Sequence, residues 1–179
     1  MKLSTLTVLL GCGLALPQIY GLLKPAQFAA AARKFPRSEP CGYVLMALGT
    51  IWFLWNLKGE SISDFSALKP IMYCGFGLAG LLTCIYVSDF LAVRGLAIVL
   101  LLLAKVMLDM QRNENSDWRL VIAVWAYAWI VAGIWFTISP WRLRDLIHWM
   151  TANEQRVRVT SAIRLAFALF VAILGLTVF

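Results

Sequence analysis

Lys105 and Asp109 are the residues of this chain whose types and spacing best suit ion pairing or the transfer of an ion or proton. They are the two charges that lie deepest in an apolar run, and a separation of four residues puts them on one face of a helix, where they can pair. Ionisable groups inside membrane helices often serve ion or proton pathways. Lys105 is also close enough to the end of its run for its side chain to reach the lipid headgroups. We therefore predict a structural intramembrane charge pair, with an ion pathway as the open alternative.

A column of large side chains follows one face of a later apolar run. The helical period of 3.6 residues brings its members into a narrow angular range, and they are Trp118, Ile122, Trp125, Trp129 and Phe136. One interpretation is a bulky stripe that packs in the core or against lipid. The other is a contact surface for another subunit, or for a flat apolar ligand such as a pigment, a quinone or a lipid tail.

Sequence patterns of known catalytic sites are absent. The chain has no G-x-S-x-G, no H-E-x-x-H, no phosphate-binding glycine loop and no pair of carboxylates at fixed spacing in an apolar run. It has a single histidine, His148, and its four cysteines form no C-x-x-C, so we predict neither a metal or haem site nor a disulfide framework. We expect no enzyme activity and no cofactor, and leave a bound lipid, quinone or pigment open.

The segments that contain these residues are long and mainly apolar. The chain is 61% hydrophobic and 14% charged, whereas soluble domains are about 45–50% apolar and about 25% charged. The excess is concentrated in long runs, which is typical of an integral membrane protein with one transmembrane domain over residues 1–179. The net charge of +7 lies in loops beside those runs, so we expect a lipid bilayer and not nucleic acid as the partner.

Six apolar runs approach the ~20 residues that a bilayer-spanning helix requires. The first run resembles a signal peptide but continues to Leu23, so we expect a membrane helix there. The sequence predicts an all-α integral membrane protein with six transmembrane helices in three hairpins. The predicted spans are about 3–23, 41–57, 71–88, 92–110, 118–138 and 159–179.

Two shorter segments are built differently from the spans. Each begins with a proline, has apolar residues at i, i+3, i+4 and i+7, and carries arginines or lysines elsewhere, a pattern that favours a helix lying flat in a membrane interface. We predict such helices at about 25–35 and 140–152, the second with Ser139 as its N-cap and Pro140 as its first residue. The interfacial anchors would be Phe28, Phe35, Leu143, Leu146, Ile147 and Met150.

The basic residues are distributed unevenly between the two sides of the predicted membrane domain. Ten lie in the first, third and fifth connections, if Arg164 just inside the last span is included, and five lie on the other side. The positive-inside rule then places both short helices in the cytoplasm and both termini in the periplasm. The compartment would be the inner membrane of a bacterium-like cell.

The paucity of intramembrane polar groups and the many aromatic and small residues favour a non-catalytic function. We expect an accessory or scaffolding subunit that packs against other membrane-protein subunits. The alternative is a small transporter or lipid- or quinone-handling protein built from repeated hairpins, since the outer pairs of spans share one plan. A transporter of this kind would need broken helices, and the candidate break points are Pro17 and the glycines Gly75, Gly77 and Gly80.

Overall fold

A computed structural model describes residues 3–59, 68–112 and 114–179 of the protein. Every regular element in these ranges is helical, and six of the helices are long and apolar enough to cross a membrane. The predicted all-helical fold and the six long apolar helices are thereby confirmed. The helices are α1 (Leu3–Leu23), α2 (Pro25–Lys34), α3 (Glu39–Gly59), α4 (Lys69–Tyr86), α5 (Leu91–Gln111), α6 (Arg119–Ile138), α7 (Trp141–Met150) and α8 (Glu154–Thr177), with a 3₁₀ turn at Phe35–Arg37 after α2.

Prolines and one asparagine determine where several helices begin and end. Pro25 is the first residue of α2 and Pro70 lies at the start of α4, where the missing N–H of proline would have had no helical partner. Pro36 follows α2, lies in the 3₁₀ turn and stops the helix. Asn153 caps α8, because its Oδ1 accepts a hydrogen bond from the backbone N–H of Arg156 at 2.8 Å.

The short helices and the last long helix differ from their predicted ranges. α2 ends at Lys34, so Phe35 lies in the 3₁₀ turn, and α7 covers only Trp141–Met150, beginning after Pro140. α8 begins at Glu154 and not at the predicted 159. The physical reason is the Asn153 cap, which extends the helix through polar residues that precede the apolar run. An apolar run indicates which part of a helix suits lipid and does not mark the helix end.

The first of two compact units is built around α1 and α8. It also contains α2, the part of α5 from Leu103, the part of α6 up to Trp129 and α7 from Arg144. The two long helices approach closely at small residues: a Cβ added to Gly11 would lie 2.8 Å from the carbonyl oxygen of Ala168. Such small residues let backbones pack tightly, which is the usual basis of helix association in membranes.

The second unit contains α3, α4, α5 up to Leu102 and α6 from Ile130. Here α3 and α5 approach at Gly95, where an added Cβ would lie 2.8 Å from the backbone nitrogen of Met46. α4 rests on α3, with the rings of Phe53 and Phe76 4.8 Å apart. The pairing of the six long helices as three hairpins stays a prediction.

Candidate functional site

The middle of the aromatic column on α6 is packed within the chain. Ile122 is fully buried and Trp125 is only 9% exposed. The ring of Trp125 meets Trp129 at 4.9 Å and Phe167 of α8 at 5.3 Å, both edge-on. Such aromatic pairs contribute about 0.5–1.5 kcal/mol each beyond their buried area. These side chains therefore help to hold α6 against α8 in the first unit.

The two ends of the column have different surroundings. Trp118, just before α6, is 48% exposed and its ring lies 6.2 Å from Phe170. Phe136 is buried and belongs to the second unit. The column as a contact surface for a partner or flat ligand stays a prediction, and Trp118 is its most accessible member.

An apolar groove of about 460 Å³ runs beside Trp125 between α6 and α8. None of the six residues that line it is charged, and they are Leu120, Val121, Val124, Trp125, Ala128 and Phe167. A concave apolar surface of this kind suits a hydrocarbon chain or ring more than a polar solute.

The charge pair on α5 is present in the structure. Lys105 Nζ lies 2.9 Å from Asp109 Oδ2, and the two side chains are 44% and 56% exposed. The pair thus lies on the outside of α5 and not in an enclosed cavity. Neither candidate break point for a transporter interrupts its helix: α1 continues through Pro17, and α4 continues through residues 75–80. An ion pathway stays a prediction.

The helix α2 is attached to its neighbours at both ends. Near its start, Tyr20 of α1 donates a hydrogen bond to Gln27 Oε1 at 2.9 Å. At its other end, Arg33 Nε donates to Thr151 Oγ1 at 2.9 Å, and Arg33 Nη2 donates to the carbonyl oxygen of Thr151. Thr151 in turn donates to the carbonyl oxygen of Ile147 at 2.7 Å, so α2 is linked through one buried threonine to the end of α7.

The predicted interfacial anchors face several directions. On α7, Leu143 and Ile147 are buried, Met150 is half-buried and Leu146 is exposed. On the first segment, Phe28 and Phe35 are both half-buried, and the ring of Phe28 lies 6.5 Å from that of Tyr20. Part of each apolar stripe is therefore covered by the protein itself, and the role of these residues as membrane anchors stays a prediction.

The helix α4 has the least buried surface of the long helices. None of its residues is buried, whereas 44% of the apolar stretch of α5 is. It meets α3 through one side only, where Phe76 contacts Phe53 and a Cβ on Gly80 would clash with Thr50. The opposite side carries exposed small or apolar residues at spacings of four, three, four and three, and we call it the outer face of α4: Ile71, Gly75, Leu78, Leu82 and Ile85.

No protein-family model, no curated protein and no solved structure matches this chain. Its function is therefore inferred from the geometry of the described residues. Within those residues, no three histidine, cysteine, aspartate or glutamate side chains lie close enough together to hold a metal ion.

Sequence reasoning missed two of these features. The outer face of α4 can be identified in the sequence from its alternating spacing of four and three residues, which fits the seam of a coiled coil. The glycines on the same helix were interpreted as possible helix breaks instead. The link from Arg33 to Thr151 joins residues 118 positions apart, and no local pattern in the sequence indicates it.

Proposed function

We propose that the protein is a non-catalytic, multi-pass membrane subunit that scaffolds or accompanies a larger membrane complex. The observation that carries the proposal is the outer face of α4, an apolar helix surface without a partner in the described part of the chain. A spacing that alternates four and three residues follows the 3.5-residue repeat by which helices interlock side by side. The occupant would be a transmembrane helix of another protein.

Gly75 supports this assignment through its position in the middle of the outer face. A Cβ added to Gly75 would meet no atom within 4 Å, so among the described residues Gly75 is not needed for packing. Lipid tails are as apolar as leucine side chains, and helices in membranes associate mainly through close packing at small residues. A glycine between Ile71 and Leu78 provides a hole into which a partner side chain fits.

The membrane placement belongs to the same proposal. The six long helices would cross a bacterial-type inner membrane with both termini in the periplasm, and α2 and α7 would lie at the cytoplasmic interface. The excess of lysine and arginine on that side supports this orientation. Exposed tryptophans at Trp141 and Trp149 of α7 suit the boundary between lipid and water.

Co-purification in mild detergent tests the docking surface. A tagged chain should retain another membrane protein, and Gly75→Trp should release it because the bulky ring fills the hole on the outer face. Gly13→Trp is the matched control, since Gly13 of α1 is also exposed and an added Cβ there meets nothing within 4 Å. A chain that purifies alone, or a partner lost equally in both variants, would contradict the proposal.

A second candidate function, the handling of a lipid or quinone, is favoured by the apolar groove beside Trp125. If the groove holds a quinone, adding one should quench tryptophan fluorescence, and Val124→Trp should block the site by filling it. Val131→Trp is the control, since Val131 is similarly exposed on the same face of α6, two turns further on, and does not line the groove. Equal quenching of the two variants would rule this candidate out.

A further inference from the structure

Two arginines of α8 lie beside the end of α7. Arg156 and Arg164 are eight residues apart, which places them within about 80° of one another and about 12 Å apart along the helix. The guanidinium of Arg156 lies 5.7 Å from the ring centre of Trp149. The guanidinium of Arg164 contacts Met150 Sδ. Together these four residues form what we call the arginine corner.

The charges of the arginine corner are not neutralised by the described residues. No carboxylate in the described part of the chain forms an ion pair with either arginine. A thioether sulfur is a weak acceptor, and the carbonyl oxygen of Trp149 is 3.5 Å from Arg156 Nη1. Both arginine side chains are exposed, so an external anion can reach them.

The nearest carboxylate in the sequence faces another direction. Glu154 lines a different groove, beside α2, together with Asn153 and Val157. On a helix it lies about 160° away from Arg156, and Arg158 lies about 160° away in the opposite sense. Glu154 therefore does not neutralise the arginine corner, and it lies with Arg158 on the other side of the same helical turn.

Arg164 is also placed deeper than an ordinary surface arginine. It follows the start of the apolar run at Val159 by five residues, or about 7.5 Å along the helix. The neighbouring α1 offers it no carboxylate: Gly21 faces Ser161 and Gly11 faces Ala168, so Gln18 lies at the level of Arg164. A charged side chain inside a membrane is energetically costly unless it reaches the headgroups or finds a partner.

We propose that the arginine corner binds the phosphate of an anionic phospholipid in the cytoplasmic leaflet. Guanidinium groups bind phosphate through paired N–H donors, and basic surfaces at the cytoplasmic ends of membrane helices suit anionic headgroups. Trp149 and Met150 would contact the glycerol and upper acyl groups. The inference rests on the membrane placement in the proposed function but not on the partner complex.

Native mass spectrometry of the purified full chain tests this site. Phosphatidylglycerol, which is anionic, is titrated against phosphatidylcholine, which is zwitterionic, at equal concentrations. We expect preferential binding of phosphatidylglycerol, and we expect Arg164→Met and Arg156→Gln each to weaken it about tenfold, since each variant removes charge-assisted hydrogen bonds to the phosphate. Arg158→Gln removes the same charge from the other side of the helix and should leave the affinity unchanged.

Three outcomes would overturn the proposal: equal binding of the two lipids, an equal loss in Arg158→Gln, or displacement of the lipid by excess sodium phosphate, which would indicate a site for small anions. If Arg164→Met does not fold, the binding measured with Arg156→Gln tests the proposal alone. Arg156 precedes the apolar run of α8, so its substitution leaves the membrane-spanning part of the helix unchanged. The measurement uses the isolated chain, so its result does not depend on whether a partner protein co-purifies.

Discussion

The closest packing at single residues occurs where α1 meets α8. Gly11 is buried against the backbone of Ala168, while Gly13, two residues further along the same helix and on its other side, faces open space. The two glycines therefore provide a direct comparison of a packed and an unpacked position.

We predict that Gly11→Val destabilises the protein by about 1–3 kcal/mol, the usual cost of overpacking, because the new side chain would collide with a carbonyl oxygen that cannot move aside. Thermal unfolding in detergent measures the effect. Gly13→Val should leave the melting temperature nearly unchanged, and an equal shift in both variants would show that α1 and α8 do not pack as described.

Contacts between single residues were predictable only where they are local. A four-residue spacing on one helix is enough to bring Lys105 and Asp109 together, and their charged atoms lie 2.9 Å apart. The contact of Trp125 with Phe167 depends on which two helices become neighbours, and the sequence left internal packing and partner binding open for this column. In the structure, Trp125 in the middle of the column packs against the rings of Trp129 and Phe167.

At the scale of elements, α2 is held in place by its link to the end of α7. Arg33 supplies two hydrogen bonds to Thr151, and the adjacent Lys34 is exposed as Arg33 is. In the described part of the chain, the hydrogen bonds of Arg33 thus connect α2 to the residue that follows α7.

We predict that Arg33→Gln loosens α2 and raises the amide hydrogen exchange of its last turn about tenfold or more, because hydrogen bonds from a charged donor contribute about 1.5–3 kcal/mol. Hydrogen exchange followed by mass spectrometry of peptides from residues 25–34 measures this. Lys34→Gln should exchange like the wild type. Unchanged protection in Arg33→Gln would mean that the link does not hold α2.

The presence of each helix could be predicted where the local composition alone determines it. All six long apolar runs and both short segments became helices, since apolar runs and proline starts act locally. Their ends were less predictable: the cap at Asn153 moved the start of α8 to Glu154, and α7 begins only after Pro140. The outer face of α4 could not be identified as unoccupied before the structure showed which side of α4 meets α3.

At the scale of the whole molecule, the proposed cytoplasmic placement of α2, α7 and the arginine corner requires one orientation of the chain in the membrane. Cys41 is exposed near the start of α3, on the predicted cytoplasmic side. Arg112 is exposed at the end of α5, on the predicted periplasmic side.

We predict that a membrane-impermeant thiol reagent labels Cys41 only after the cytoplasmic side is opened, because the excess of basic residues keeps that side inside. The variant used would have the other three cysteines replaced by serine. In a chain without native cysteines, Arg112→Cys should instead be labelled in intact cells. The reverse labelling pattern would invert the topology.

The central claim, that another membrane protein docks on the outer face of α4, is tested most directly by photo-crosslinking in living cells. A photoreactive amino acid at Leu78 should give a discrete adduct with a different membrane protein, since Leu78 lies in the middle of that face. The same amino acid at Leu16, an exposed residue of α1, should give no such adduct. An adduct of Leu78 with lipid alone or with a second copy of this chain would contradict the claim.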